Sequence, residues 1–98
     1  MTINKTRNGN SLTVAIEGRL DTTTAPQLEA ELKASLDGIT ELTMDLSTLE
    51  YIASAGLRVL LSAQKIMNKQ GEMKVAGANE TVKDVFEVTG FSYIFNIV

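Results

Sequence analysis

Hydrophobic and polar positions alternate near the start of the chain and take up a helical spacing further along. Leu12, Val14 and Ile16 are separated by small or polar residues, which is the two-residue period of a β-strand. The preceding Asn8-Gly9-Asn10 tolerates positive φ, so it predicts a turn after a short first strand over residues 3–7. The chain therefore begins with a predicted β-hairpin.

A leucine at every fourth position predicts the first helix. These residues are Leu28, Leu32 and Leu36, and together they form one apolar face. Pro26 is favoured in a first helical turn, so Thr23 or Thr24 is the predicted N-cap. Asp37-Gly38 provides the C-terminal stop. We therefore expect an amphipathic helix between these two signals.

The middle of the chain contains another strand followed by the longest predicted helix. Apolar residues at alternate positions between residues 42 and 46 predict a strand that ends near residues 45–47. A loop then leads to Ser54, where we expect a helix over about residues 55–70 to begin. Gly71 marks the end of that helix.

The last third of the chain predicts one more strand, one more helix and a terminal strand. The strand lies around Met73–Val75, and the helix begins after Asn79 as its N-cap and ends at Gly90. Its packed side is predicted to contain Val82, Val85, Phe86 and either Val88 or Thr89. Residues 91–98 are rich in aromatic and β-branched side chains, which favour a strand.

The predicted element order is β-β-α-β-α-β-α-β, within one α/β domain spanning residues 1–98. This alternation predicts a mixed, mostly parallel sheet with an N-terminal hairpin and helices packed on it. Loops that follow parallel strands gather at one edge of such a sheet and commonly form the functional site. We therefore expect the loop at Asp21 and the loop at Ser54 to be neighbours.

Composition excludes several kinds of chemistry. The chain contains no cysteine and no histidine, so disulfides, zinc–thiolate sites and a Ser-His-Asp hydrolase are impossible within it. No P-loop or glycine-rich dinucleotide motif follows a suitable strand. We therefore expect no cofactor, no metal and no catalytic residue, and an enzyme or small-molecule binder is the least favoured class.

Charge and hydropathy limit the partners. A net charge of −3 argues against direct binding to nucleic acid, which requires clustered lysine and arginine. The first residues lack the apolar segment of a signal peptide, and no apolar run approaches the length that crosses a bilayer. The sequence therefore predicts a cytoplasmic protein without membrane insertion.

Ser54 is the strongest candidate for a functional residue, and it has two interpretations. Serine is a favoured N-cap, and a hydroxyl cap contributes on the order of 1 kcal/mol to helix stability. Alternatively, the small neighbours Ala53, Ala55 and Gly56 leave the hydroxyl open to modification. A phosphate at that position would meet the free N–H groups and the positive end of the helix.

Three separated motifs resemble the STAS-domain family of bacterial anti-sigma factor antagonists. The first motif is Gly18-Arg19-Leu20-Asp21 with the threonines that follow. The second is Asp45-Leu46-Ser47 followed by Ile52-Ala53-Ser54-Ala55-Gly56-Leu57 and Val59-Leu60-Leu61. The third is Val82-Lys83-Asp84-Val85-Phe86 followed by Gly90-Phe91. They occur in the order of the family and together cover nearly the whole chain.

The resemblance implies a partner-switching protein. In the family, the serine that matches Ser54 is phosphorylated by an anti-sigma factor with serine kinase activity, and phosphorylation blocks binding. The unphosphorylated antagonist binds that anti-sigma factor and frees the sigma factor, and a PP2C-type phosphatase restores this form. The implied partner-binding residues are Asp21, Thr22, Ala53, Ser54, Ala55, Gly56, Leu57 and Arg58.

The chain departs from the family beside the acceptor. Antagonists of this family usually carry aspartate at the position of Ala53 and serine or threonine at the position of Ala55. This difference favours an alternative, in which the chain is a STAS adaptor that is never phosphorylated. Such an adaptor would be a subunit of a lipid-transport or stressosome-like assembly.

Overall fold

A five-stranded mixed sheet forms one layer of the structure, a computed structural model that describes all 98 residues. The strands lie side by side in chain order. They are β1 (Thr2–Asn8), β2 (Ser11–Leu20), β3 (Glu41–Ile52), β4 (Glu72–Ala76) and β5 (Asn96–Ile97). β1 and β2 form the predicted antiparallel hairpin, and every other neighbouring pair is parallel. The predicted mixed, mostly parallel sheet is confirmed.

Helices connect the parallel strands and form the second layer. They are α1 (Ala25–Ser35), α2 (Ser54–Asn68) and α3 (Glu80–Thr89), followed by a short 3₁₀ helix over Phe91–Tyr93. Because each crossover advances by one strand in the same direction and such crossovers are right-handed, all three helices cover the same face. Alternate residues of β2 agree with this arrangement, since Leu12 and Val14 are buried whereas Thr13 is half-buried.

The core lies between the sheet and the helices and consists mainly of aliphatic side chains. Twenty-five buried residues form one cluster. Its few aromatic members are confined to the C-terminal part, where the rings of Phe86 and Phe95 meet edge to face at 5.6 Å. The predicted leucine face of α1 is confirmed, because Leu28, Leu32 and Leu36 are all buried.

Helix boundaries follow the predicted signals closely. Thr24 is the N-cap residue of α1, and the side chain of Asn79 caps α3 by accepting a hydrogen bond from the Val82 amide at 2.8 Å. Gly90 ends α3 in the left-handed conformation at φ 81°. These termini were predictable because the signals are local side-chain and backbone preferences.

β3 is longer than predicted, and the predicted end near residues 45–47 is wrong. The strand continues to Ile52 because β2 also continues, and Leu20 pairs with Ile52 at its end. At each of two irregularities one extra β3 residue lies opposite β2, the first between Asp45 and Thr48 and the second between Leu49 and Tyr51. Each such bulge breaks the two-residue alternation, so the pattern in the sequence no longer reads as a strand.

The predicted terminal strand over residues 91–98 is also largely wrong. Phe91–Tyr93 forms a 3₁₀ helix, and only Asn96–Ile97 pairs with β4. The carbonyl of Phe91 accepts hydrogen bonds from the amides of Ile94 and Phe95, both at 3.0 Å, which turns the backbone and buries Phe95. Tertiary packing of an aromatic side chain therefore prevails over the strand propensity of this stretch.

The packed side of α3 is narrower than predicted. Val82 and Phe86 are fully buried and Val85 is half-buried, as expected. Val88 is 87% exposed and Thr89 is exposed, so neither belongs to the packed side. The reason is that α3 packs against β3 and the 3₁₀ helix, and its last exposed residues lie on the side turned away from these two elements.

Replacing Gly71 with Ala is expected to destabilise the fold by about 2–3 kcal/mol, at the upper end of overpacking costs. A Cβ at this position would overlap the carbonyl of Thr40, which is backbone and already accepts the Glu72 amide at 2.9 Å. Urea denaturation measures the effect. Gly38→Ala is the control, since its added Cβ meets nothing and only the positive φ costs about 1 kcal/mol. Equal losses in the two variants would contradict the steric explanation.

Candidate functional site

The ends of β2 and β3 bring the two candidate loops together. Leu20 and Ile52 are paired, and the amide of Ala53 donates to the carbonyl of Leu20 at 2.9 Å. The loop that begins at Asp21 and the helix that begins at Ser54 therefore start from adjacent backbone positions. The prediction that these loops are neighbours is confirmed.

Asp21 organises the loop between β2 and α1. Its Oδ1 accepts hydrogen bonds from the Thr23 amide at 3.0 Å, the Thr23 hydroxyl at 2.7 Å and the Thr24 amide at 3.2 Å. The Thr24 hydroxyl accepts from the Asp21 amide at 2.9 Å and donates to the carbonyl of Arg19 at 2.8 Å. These bonds fix the loop in one conformation, and they leave Thr22 exposed at its tip.

The same hydrogen bonds keep the Asp21 carboxylate charged. The hydroxyl of Thr23, and after it the Thr23 amide, lower the pKa of Asp21 below its ordinary value of 3.8, because both donate to the ionised form. The site therefore holds a fixed negative charge beside the start of α2 at neutral pH.

Ser54 is the first residue of α2 rather than its cap. Ala53 occupies the N-cap position with extended backbone angles, φ −106° and ψ 174°, and the helix has no side-chain cap. The interpretation of Ser54 as an N-cap is therefore wrong. The pairing of β3 with β2 extends through the Ala53 amide, so the helix can begin only one residue later. The hydroxyl of Ser54 is exposed and makes no hydrogen bond within the protein.

Some residues after Ser54 are buried and support the start of α2, whereas others are exposed on its surface. Gly56 and Leu57 are buried, and a Cβ on Gly56 would lie 2.6 Å from Cγ of Leu20 and 3.0 Å from Cγ1 of Ile52. Gly56 thus allows α2 to approach the ends of both strands closely. Its role at this site, together with Leu57, is to hold the helix start in place, whereas Ser54 and Arg58 are exposed.

A groove of about 340 Å³ opens between α1 and α2 beside Ser54. Its lining comprises Thr22, Ala25, Pro26 and Glu29 from the first loop and α1, and Ala55, Arg58, Val59 and Ser62 from α2. Five of these lie outside the partner-binding residues that the resemblance implied: Ala25, Pro26, Glu29, Val59 and Ser62. A spacing of three or four residues relates each of them to another lining residue, which is the only signal that could have found them.

The charges around the groove are unevenly paired. Glu29 forms an ion pair with Lys33 at 2.8 Å, whereas Arg58 makes neither an ion pair nor a hydrogen bond. Nearby, the guanidinium of Arg19 stacks over the ring of Tyr51 at 4.7 Å from its centroid. Arg58 is therefore the free cation of the groove.

No group of three or more acidic, histidine or cysteine side chains converges in a way that could hold a metal ion. None of the three helices combines the length and the apolar composition needed to cross a bilayer.

Replacing Asp21 with Asn is expected to make folding less sensitive to acid. Because the pKa of Asp21 is lowered in the folded state, its stabilising contribution is complete above the unfolded value and is lost as the pH falls through the folded one. The free energy of unfolding, measured in urea from neutral pH to below about pH 4, should therefore fall less steeply in this variant. Asp37→Asn, an exposed carboxylate after α1, is the control. Parallel curves for wild type and Asp21→Asn would refute the assignment.

The chain matches a family model and named relatives over most of its length. The family model described as "Mlab, STAS domain" matches residues 3–96. BtrV of Bordetella bronchiseptica, a candidate anti-sigma factor antagonist, is 42% identical over 88 residues, which cover 88% of this chain and 76% of BtrV. The anti-sigma-B factor antagonist of Bacillus subtilis is 30% identical over 92 residues, covering 93% of this chain and 84% of that protein.

The structural comparison agrees with the sequence comparison. The crystal structure of an anti-sigma factor antagonist from Mycobacterium paratuberculosis superposes with a TM-score of 0.89 at 26% identity, covering 98% of this chain and 83% of that one. The names of these relatives describe regulatory binding proteins and not enzymes. The chain therefore belongs to the STAS-domain family of anti-sigma factor antagonists.

Proposed function

We propose that this protein is an anti-sigma factor antagonist, which binds an anti-sigma factor with serine kinase activity and is switched off by phosphorylation of Ser54. The observation that carries the proposal is the position of Ser54. Its hydroxyl is exposed, makes no hydrogen bond and stands at the first position of an uncapped helix, within the family motif. A PP2C-type phosphatase would return the protein to its active form.

The environment of Ser54 suits a phosphoryl acceptor. In the transfer, a bond forms between the serine oxygen and the γ-phosphorus of ATP, the bond to ADP breaks, and a base on the kinase takes the hydroxyl proton. The small neighbours Ala53 and Ala55 leave room for the kinase. The product places about −1.5 to −2 charges at the positive end of α2, where the fold tolerates them.

The same location explains why phosphorylation would release the partner without unfolding the antagonist. The proposed binding surface joins the loop at Asp21 and Thr22 to the exposed part of residues 53–58 and continues into the groove between α1 and α2. A phosphate within this surface would have to lose its water when the partner binds, and its charge would add to that of Asp21. The partner would therefore be disfavoured by both desolvation and repulsion.

The proposed partners place the protein in the cytoplasm, because a sigma factor and its regulators act on the transcription machinery there. The antagonist itself would bind protein and not nucleic acid, which agrees with its net charge of −3. The binding energy would come from protein–protein contacts around the groove.

A second candidate function is that of an adaptor subunit in a transporter or stressosome-like assembly, without phosphorylation. Two observations favour it. The matching family model carries the description "Mlab, STAS domain", and Ala53 replaces the aspartate that usually precedes the acceptor. Affinity purification of the tagged protein from its own cells separates the two functions. Recovery of an anti-sigma kinase supports the antagonist, whereas recovery of transporter or scaffold subunits without a kinase supports the adaptor.

Ser54→Ala is expected to abolish phosphorylation of the protein by its anti-sigma kinase. Incubation with ATP and the purified kinase, followed by intact mass spectrometry, should give one added phosphate on the wild type and none on the variant. Ser62→Ala, eight residues further along the same helix, is the control and should be modified like the wild type. Equal modification of Ser54→Ala would show that the acceptor lies elsewhere.

Phosphorylation of Ser54 is expected to weaken binding to the anti-sigma factor by at least about tenfold, which corresponds to roughly 1.4 kcal/mol. Calorimetry with the phosphorylated and unphosphorylated proteins measures the difference, and treatment with a PP2C-type phosphatase should restore the original affinity. Equal affinities for both forms would refute the switch, even if Ser54 is modified.

A further inference from the structure

Arg58 and Ser54 occupy neighbouring positions on the exposed side of α2. They are four residues apart, so their Cβ atoms are separated by about 5–6 Å along one face of the helix. Ser54 is the N-terminal member of the pair, and an anion N-terminal to a cation is the favourable order at this spacing. A phosphoryl group on Ser54 would therefore lie within reach of the Arg58 guanidinium.

Arg58 is also the cation that is available for this contact. Other cations of the helical face are already engaged, with Lys5 paired to Glu31 and Lys33 paired to Glu29 at 2.8 Å. Arg19 stacks over Tyr51 on the strand ends. The remaining lysines lie at the far end of α2 or on other elements: Lys65 in its last turn, Lys69 just after it, Lys74 on β4 and Lys83 on α3. Of these, Lys65 lies about 16 Å further along the helix axis.

A contact between Arg58 and phosphorylated Ser54 would change the groove between α1 and α2. In the unphosphorylated protein Arg58 forms part of the wall between α1 and α2, opposite Glu29. Glu29 pairs with Lys33 at 2.8 Å, and no ion pair joins it to Arg58. Arg58 can therefore turn towards Ser54 without breaking any ion pair or hydrogen bond of the protein, and doing so removes the only cation from the groove wall.

We propose that Arg58 binds the phosphoryl group of phosphorylated Ser54 and leaves the α1–α2 groove when it does so. This inference rests on the proposed function, since it assumes that Ser54 is the residue modified. Phosphorylation then changes the partner surface in two ways. It adds negative charge at the start of α2, and it withdraws the guanidinium that the unphosphorylated groove presents.

The planar guanidinium suits this role better than an ammonium group. Arginine can donate two parallel hydrogen bonds to phosphate oxygens, whereas lysine acts as a single point charge. Ser54 and Arg58 would therefore work as a unit, in which the phosphate on Ser54 competes for the Arg58 guanidinium with an acidic group of the anti-sigma factor.

The test uses protein in which phosphoserine is incorporated at position 54 during translation, so that no kinase is needed. Arg58 stabilises the dianion, so ³¹P NMR should give a phosphate titration midpoint at lower pH in the parent than in Arg58→Gln, by roughly 0.15–0.4 pH unit. Asp21 and Glu29, the acidic groups that face the site, are present in every variant. Arg58→Lys should lie between the two, because it keeps the charge and loses the paired hydrogen bonds.

Lys74→Gln is the matched control, since it removes one positive charge from the opposite face of the sheet. The phosphate titration midpoint of Lys74→Gln should equal that of the parent. In both proteins the Arg58 Nε–H resonance should differ between the phosphorylated and the unphosphorylated form. An unchanged midpoint in Arg58→Gln, or an equal rise in Lys74→Gln, overturns the inference. Because the phosphate is installed without a kinase, a lowered midpoint supports the Arg58 contact even if the kinase assay with Ser54→Ala refutes the proposed function.

Discussion

The pairing of β2 with β3 is the interaction on which the candidate site depends. It is the longest parallel pairing in the sheet, and it continues past two bulges to Leu20 and Ile52. The last bond of this ladder, from the Ala53 amide to the Leu20 carbonyl, sets where α2 can begin. Because one residue of slippage would move every side chain of the strand end, this register also decides that Ser54 faces solvent.

Close packing at the strand ends then holds the site rigid. Gly56 lies against Leu20 and Ile52, with no room for a side chain, and the Asp21 carboxylate fixes the adjacent loop through the threonines that follow it. The surface around Ser54 is therefore built on a fixed backbone. A charge added there can change what the surface binds without changing the fold, which is the property that a switch by phosphorylation requires.

Several features of the fold could be predicted because they depend on residues that are close together in the sequence. The leucine spacing of α1, the cap at Asn79 and the glycine stop at Gly90 depend on neighbours within one or two helical turns. The continuation of β3 could not be predicted, since bulges break the strand period and only the partner strand shows where pairing ends. The turn at Phe91 depends equally on a distant contact, the burial of Phe95 against Phe86.

The sequence by itself determined the fold class, the adjacency of the Asp21 and Ser54 loops and the exclusion of histidine and cysteine chemistry. These follow from periodicity, from the geometry of parallel crossovers and from composition. Only the tertiary structure decided that Ala53 and not Ser54 is the N-cap, and that a groove beside it leaves Arg58 unpaired. The physical reason is that backbone pairing between strands and packing between helices join residues far apart in the chain, and no local pattern records those contacts.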